Sequence, residues 1–382
     1  MHIVFLTSEY PKKGYPHGGV GTVVQNIARG LVKHQYIVSV VGLNYNKSNE
    51  VENDHGVNII RLSPKKVKYF SWYLNSKLIN KAIAELHDKQ PINIIECTEM
   101  GLAFVNKIKG VQKLIRLHGG HHFFAESEER KINPWKAFQE KRSFKKADHI
   151  IGVSEYVVKH TYKYINFKDK YKGVINNLAN LDRFKPSDQS EEVKGRVFFA
   201  GSLCEKKGIR QLIKAMTIVI QAIPEAHLVV AGRDTKIRGK EESYLDYLKT
   251  EIEDNIREKI VFLGVVDNDK LSHEIEKAEV CVYPSHMETF GMSCIEAMSM
   301  GKCVITSKLG PGPEVVEHQK TGLLCNPFEI DKLANQIILL LEDGNYAHQL
   351  GINAINDIKQ RFGYEHLMQK NITLYKTIIK KQ

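Results

Sequence analysis

The sequence has no apolar run near the roughly 18 residues that a membrane-spanning helix needs. Cysteine is sparse: six thiols, at 97, 204, 281, 294, 303 and 325, stand singly, with no Cys-x-x-Cys pair. Most sit inside apolar runs such as Val280-Cys281-Val282. That excludes a disulfide scaffold, argues against a zinc site, and points to reduced thiols in a cytoplasmic setting. Short-period repeats and low-complexity tracts are missing, and so is Gly-x-Gly-x-x-Gly, so no dinucleotide cofactor is expected. The apolar start, Met1 to Thr7, has neither a basic lead nor a small-residue cleavage site. It reads as a strand rather than a signal peptide.

What the chain does have is positive charge and length. Lysine and arginine number 55 against 44 acidic residues, a formal net charge of +11. Such a surplus favours anionic partners without choosing among phosphates, acidic headgroups and nucleic acid. At 382 residues the chain suits two domains.

Short apolar runs alternate with longer amphipathic ones, the pattern of parallel strands joined by crossover helices. In the first half, strands are expected at His2–Thr7, Ile37–Leu43, Ile94–Cys97, Lys113–His118, His149–Ser154 and Gly173–Asn176. In the second half they are expected at Arg196–Ala200, His227–Ala231, Ile260–Leu263, Val280–Tyr283 and Cys303–Thr306. The polar stretch Leu181–Lys194, with Pro186 and Glu191-Glu192, is the best boundary. The expected fold class is α/β, two doubly wound domains facing across a cleft, with ligands at the carboxyl ends of the strands.

The densest chemical signal runs from Pro284 to Met298. A strand ends at Tyr283, a loop carries Glu288, and a helix opens at Gly291. Free backbone N–H groups at a helix start suit an anion or sugar hydroxyls. Glu296, further along, has the acceptor geometry for the vicinal hydroxyls of a ribose. Two glutamates eight apart are by themselves more often solvated surface; the glycine and apolar packing around this pair set it apart.

This segment resembles the Glu-x7-Glu signature of the group 1, family-four glycosyltransferases. Other matches follow in order: Gly18-Gly19 resembles the family's glycine loop, and Leu117-His118-Gly119 its His-Gly motif. Asn177 to Phe184 is similar to its hinge segment, and Gly201 to Gly208 to its Lys-Gly loop. Glu314-Val315-Val316 and Thr321-Gly322-Leu323-Leu324 resemble its trailing motifs, and Tyr364–Ile379 its terminal helix. The resemblance implies a GT-B fold of Rossmann-like domains: 1–180 on the acceptor side, 181–363 for the nucleotide sugar, and 364–382 returning to the first domain. It implies retaining, metal-independent transfer from a nucleotide-sugar donor, a UDP-sugar being the first expectation, to a glycan or lipid-linked acceptor. No cofactor and no nucleic-acid partner are implied. His118, Lys207 and Glu288 would serve catalysis. Gly19, Gly201, Ser202, Lys207, Arg233, Phe290, Gly291, Met292 and Glu296 would bind the donor.

Three positions depart from the family. Ser202 stands where an arginine is usual, so Lys206 or Arg233 is expected to supply the charge a leaving diphosphate needs. Leu178 and Asn180 replace the hinge's glycine and aspartate. Pro311 stands in place of the family's second glycine in Gly310-Pro311-Gly312-Pro313-Glu314, which predicts a stiffer loop. A GT-B epimerase or phosphorylase, or a non-catalytic glycan-binding protein, is the competing function. His121 and His122, read as extended backbone, point oppositely and make metal binding improbable.

Two stretches mix basic and aromatic residues. Lys131 to Lys146 carries Trp135, Phe138, Lys141, Arg142, Phe144 and Lys145. Pro64 to Trp72 carries Lys65, Lys66, Lys68, Tyr69 and Phe70. A solvated helix is one reading; peripheral contact with an anionic membrane, at its cytoplasmic face, is the other.

Overall fold

The computed structural model describes residues 1–15, 18–178, 183–237 and 239–380. The expected boundary at 180/181, and Asn180 to Asp182 of the hinge motif, lie outside the described residues. The chain divides into two compact units, Met1–Leu178 with Tyr364–Gln382, and Ala179–Gly363.

In the first unit the elements are β1 (His2–Leu6), α1 (Gly19–Lys33), β2 (Ile37–Leu43), β3 (Glu50–Asp54), β4 (Val57–Leu62), α2 (Ser71–Lys89), β5 (Ile94–Cys97), β6 (Gln112–Leu117), α3 (His121–Ser127), α4 (Pro134–Lys146), β7 (His149–Gly152), α5 (Glu155–Tyr162) and β8 (Tyr171–Val174). They build an eight-stranded sheet in the order β3-β4-β2-β1-β5-β6-β7-β8. Only the β3–β4 pair is antiparallel. Central strands are buried on both faces, as the unbroken runs Ile3-Val4-Phe5, Ile94-Ile95 and Ile150-Ile151 require. The β3–β4 hairpin was not among the expected strands. Its turn places His55 and Gly56 at φ +51° and +91°, which suits a tight two-residue connection.

The second unit contains β9 (Arg196–Ala200), α6 (Ile209–Ala222), β10 (His227–Ala231), α7 (Tyr244–Thr250), β11 (Ile260–Gly264), α8 (Asn268–Glu276), β12 (Val280–Tyr283), α9 (Met292–Ser299), β13 (Cys303–Ser307), α10 (Gly312–Val315), β14 (Leu323–Cys325), α11 (Ile330–Glu342) and α12 (Gly344–Phe362). Its six strands are all parallel, in the order β11-β10-β9-β12-β13-β14. Pro311 is the N-cap of α10 and Pro313 lies in its first turn, where a missing N–H costs no helix bond. Arg361 closes the other end by donating to the Glu314 and Val315 carbonyls, both at 2.7 Å.

The last helix, α13 (Tyr364–Lys380), belongs to the first unit. A side chain at Gly30 would collide with Met368 and Tyr364, so this glycine lets α13 lie against α1. Deeper in, Arg116 pairs with Glu96 at 2.7 Å and donates to the Asn371 side-chain Oδ1 at 2.6 Å. Tyr375 donates to the second Glu96 oxygen at 2.7 Å. All four are buried, and a buried ion pair persists only when its remaining hydrogen bonds are made.

Candidate functional site

A doubly wound sheet has one place where neighbouring strands send their connections to opposite faces, and ligands settle outside the carboxyl ends there. In the second unit that place lies between β9 and β12. The loops leaving those strands carry Lys207 and Glu288.

Lys207 closes a short 3-10 turn, Glu205–Lys207, and Gly208 follows at φ +72°. A side chain on Gly208 would collide with the Pro284 carbonyl, so glycine allows the two loops to touch. The His286 N–H then donates to the Lys206 carbonyl at 2.8 Å. This stitching brings the Lys207 ammonium onto the Glu288 carboxylate as an ion pair. Both side chains stay about a quarter exposed, 25% and 26%, so the pair is open to a ligand. Burial opposes charge on each, but their mutual attraction outweighs it, holding Glu288 below and Lys207 above its ordinary pKa.

Sequence reasoning missed Glu205, which anchors the Lys207 turn. Its carboxylate accepts from Arg210 at 2.7 and 2.9 Å, from Gln211 at 2.9 Å and from the Tyr244 hydroxyl at 2.6 Å. Burial works against its charge, yet these bonds bring its pKa down to about 2. Arg210 and Gln211 were visible in the sequence, but Tyr244 reaches this turn only through the fold.

The start of α9 supplies backbone donors. Gly291 is its N-cap at φ +92°, with no side-chain cap, and a Cβ there would meet no atom within 4 Å. Space is therefore open beside Gly291, at the helix end whose first N–H groups have no partner from a preceding turn. Phe290, by contrast, is a core anchor, 1% exposed and 5.6 Å from the Phe362 ring. Any contribution it makes to a ligand is through its backbone. Glu296 lies on α9 after Met292, and burial lifts its pKa to about 7, against the pull of Arg183.

The remaining donor-side positions divide. The Gly201 amide is committed to the Ala231 carbonyl at 2.9 Å, and Leu203 bonds Arg233 across the same junction at 2.9 Å. A side chain at Gly232 would collide with the Gly201 carbonyl. Gly201 thus contributes close packing rather than a free donor. Ser202 is half-buried beside it. The Arg233 side chain is exposed at the carboxyl end of β10 and has no ion-pair partner among the described residues.

In the first unit, His118 follows β6 and is buried. Its N–H donates to Glu99 Oε1 at 2.6 Å. Burial, reinforced by the Arg116 charge, pushes the imidazole down to about 3, so it is neutral at physiological pH. Burial also lifts Glu99 to about 8. Gly119 adopts φ +89°, and a side chain at Gly120 would collide with Glu140. Glu140 in turn accepts from the His121 N–H at 2.9 Å and pairs with the His122 ring.

One expectation needs correction. His121 and His122 open a helix, α3, rather than continue a strand, and their rings lie 5.9 Å apart. Gly19, of the glycine loop, is the first residue of α1. Crowding falls on Gly18 and Gly21, which meet Glu9, while Gly19 has open space around it. Pro16 and His17, just before it, lie outside the described residues. Among the described residues no group of three or more His, Cys, Asp or Glu is disposed to hold a metal ion. No helix among them is long and apolar enough to cross a membrane.

Fold and site together define a two-domain α/β protein of the GT-B class. Residues 17–183 match the family described as Glycosyltransferase Family 4, and residues 182–357 match Glycosyl transferases group 1. The chain belongs to this family of glycosyltransferases. It is 27% identical to an uncharacterised glycosyltransferase of Methanocaldococcus jannaschii, with 98% of each chain covered. Among solved structures, sucrose-phosphate synthase of Thermosynechococcus elongatus superposes with a TM-score of 0.85 at 22% identity, over the whole of both chains. Anabaena HepE, solved with UDP-glucose, superposes with a TM-score of 0.77 at 20% identity, over 99% of this chain and all of that one.

Proposed function

We propose that the protein transfers a sugar from a nucleotide-sugar donor to an acceptor hydroxyl with retention of configuration, using no metal and no cofactor. The observation that carries this reading is the pairing of Lys207 with Glu288 at the β9/β12 switch point, on loops next to the uncapped α9, the helix that carries Glu296. Glu296 accepts from the ribose hydroxyls, and Lys207 holds the diphosphate. The first-turn amides of α9, at Gly291 and Met292 with Phe290 before them, face sugar or phosphate oxygens. Glu288 orients the transferred sugar. His118 and Gly19, in the first unit, serve the sugar and acceptor side, His118 as a neutral imidazole.

Lys207 is already paired with Glu288, so the net cationic charge available to the diphosphate must come from elsewhere as well. Arg233 is the exposed guanidinium at this edge of the sheet, and we assign it the role of the arginine that Ser202 displaces. In the reaction, the bond from the anomeric carbon to the diphosphate oxygen breaks, and the acceptor oxygen bonds to that carbon on the same face. The acceptor proton passes to the departing diphosphate, so no separate protein base is needed. Placement and charge stabilisation carry the acceleration.

HepE was solved with UDP and with UDP-glucose, which favours a UDP-sugar here. The acceptor is a saccharide or lipid-linked glycan. Screening UDP-, GDP- and ADP-sugars for thermal stabilisation and then for slow donor hydrolysis tests the donor; no stabilisation by any of them would sink the reading. Lys207→Ala should remove most of kcat, and Glu296→Ala should raise the donor KM. Activity should survive excess chelator, since protein cations neutralise the leaving group.

A further inference from the structure

We propose that one face of the first unit, built from residues 64–81, 104–109 and 131–145, docks the protein onto an anionic lipid bilayer. Segments far apart in sequence meet there through their rings. Trp72 lies 4.6 Å from Phe104 and 5.4 Å from Trp135, and Trp135 lies 5.5 Å from Phe138. The cluster is left in solvent: Trp72 is 39% exposed, Trp135 43% and Phe138 50%. Beside it, Tyr69 and Phe70 project at 80% and 62%. Tyr69 holds its position at φ +64°, a conformation costly for an aromatic residue and the kind of strain that clusters at functional surfaces. A contiguous exposed apolar patch on a folded protein marks an interaction surface.

Charge selects the partner. Residues 64–81 contain five lysines, at 65, 66, 68, 77 and 81, and no acid. Residues 104–109 add exposed Lys107 and Lys109, again with no acid. Within 131–145 the single acid is Glu140, which is buried and turned onto His121 and His122. The cations stand level with the rings: Lys77 lies 4.7 Å from the centre of Tyr73 and Lys68 5.2 Å from that of Tyr69. Not every basic residue of α4 is available. Arg142 and Lys146 donate to the carbonyls of Ala103 and Val105 at 2.8 and 2.7 Å, and so fasten the 104–109 loop to the helix.

An exposed aromatic cluster could also stack sugars or bases, which needs free ring faces. Here Trp135 is stacked against both Phe104 and Phe138, at 25° and 18° between planes, so its faces are taken by neighbours. Aromatic rings held together inside a lysine rim suit the bilayer interface, where amphipathic rings sit at headgroup depth and lysines meet anionic lipid. This inference does not rest on the reading of the donor site, and its test reads neither nucleotide binding nor turnover.

The chain's two tryptophans, Trp72 and Trp135, both belong to this face, so intrinsic emission reports on it alone. The full-length protein is mixed with vesicles of phosphatidylcholine, with and without phosphatidylglycerol, at low salt. We expect co-flotation only with the anionic vesicles, a blue shift of tryptophan emission, and quenching by brominated acyl chains. The triple change Lys65→Gln, Lys66→Gln, Lys68→Gln should weaken partitioning on the order of 100-fold, about fivefold per lysine. Tyr69→Ser with Phe70→Ser should weaken it without moving the melting temperature, since both rings are exposed. Anionic vesicles that bind with unchanged tryptophan emission would overturn the proposal. So would equal binding to neutral vesicles, or binding to single-stranded DNA without binding to vesicles.

Discussion

At the scale of single residues, the carboxyl of Glu296 records a conflict between stability and binding. Its pKa rises from 4.5 to about 7 because burial penalises the charge, while Arg183 compensates only in part. A carboxyl raised in the folded state binds its proton more tightly there than in the unfolded chain. Stability is therefore lost as pH climbs from about 4.5 to about 7, and stays lost above that. Glu296→Gln removes the titration. The ligand-free variant should be more stable than the parent at pH 8, by about 1–3 kcal/mol, and equal to it at pH 4. Thermal melts at the two pH values check this. If the ionised carboxylate accepts from ribose, nucleotide affinity of the parent should fall as pH drops through about 7, and the variant should lose that dependence. A variant that binds nucleotide as tightly as the parent at pH 8 would remove Glu296 from the site.

His118 makes a second prediction at this scale. Its ring is held neutral down to about pH 3, so its NMR C2–H resonance should not move between pH 5 and 8. A midpoint within that range would show that burial and Arg116 do not dominate the ring, and would end its assignment as a neutral hydrogen-bonding group.

At the scale of elements, two glycines flank the donor site for different reasons, and the difference is measurable. Gly208 and Gly291 both adopt positive φ, +72° and +92°. A methyl group at Gly291 meets nothing, so Gly291→Ala bears only the left-handed strain of about 1–2 kcal/mol. At Gly208 the methyl would strike the Pro284 carbonyl and part the two loops as well. Gly208→Ala should therefore cost more stability than Gly291→Ala in urea melts, and should separate Lys207 from Glu288. Equal costs would mean that the loop contact is soft. The strands that form these elements could be read from sequence wherever a parallel strand is buried on both faces and so runs continuously apolar. Ile37–Leu43, Arg196–Ala200, His227–Ala231 and Val280–Tyr283 form as expected. The β3–β4 hairpin could not be read so, because one face is solvated and its polar alternation resembles loop. Lys207 and Glu288 could each be picked out as candidates, because their loops resemble the family's motifs. Their direct pairing could not, nor could the committed Gly201 amide, since both follow from how separate strands line up.

At the scale of the whole molecule, the last helix is part of the first folding unit although nearly two hundred residues separate them. On α13, Leu367, Met368, Ile372 and Ile378 are all buried, and Tyr375 is fully so. Burial of such side chains is worth about 1.5–3 kcal/mol each, so the five together contribute on the order of 10 kcal/mol. That equals the entire net stability of an ordinary domain, about 5–15 kcal/mol. Without α13, Glu96 also loses the Tyr375 hydroxyl and Arg116 loses Asn371, leaving a buried pair short of partners. Residues 1–178 expressed alone should therefore fail to fold, as circular dichroism and cooperative melting would report. Joining Tyr364–Lys380 to them through a flexible linker should restore a cooperative transition. Residues 179–363 carry the β9/β12 loops and α9 complete. Expressed alone, they should melt cooperatively and gain the same thermal stabilisation from the donor nucleotide as the intact chain. A folded 1–178 fragment would show that α13 is an accessory to the first sheet rather than part of its core.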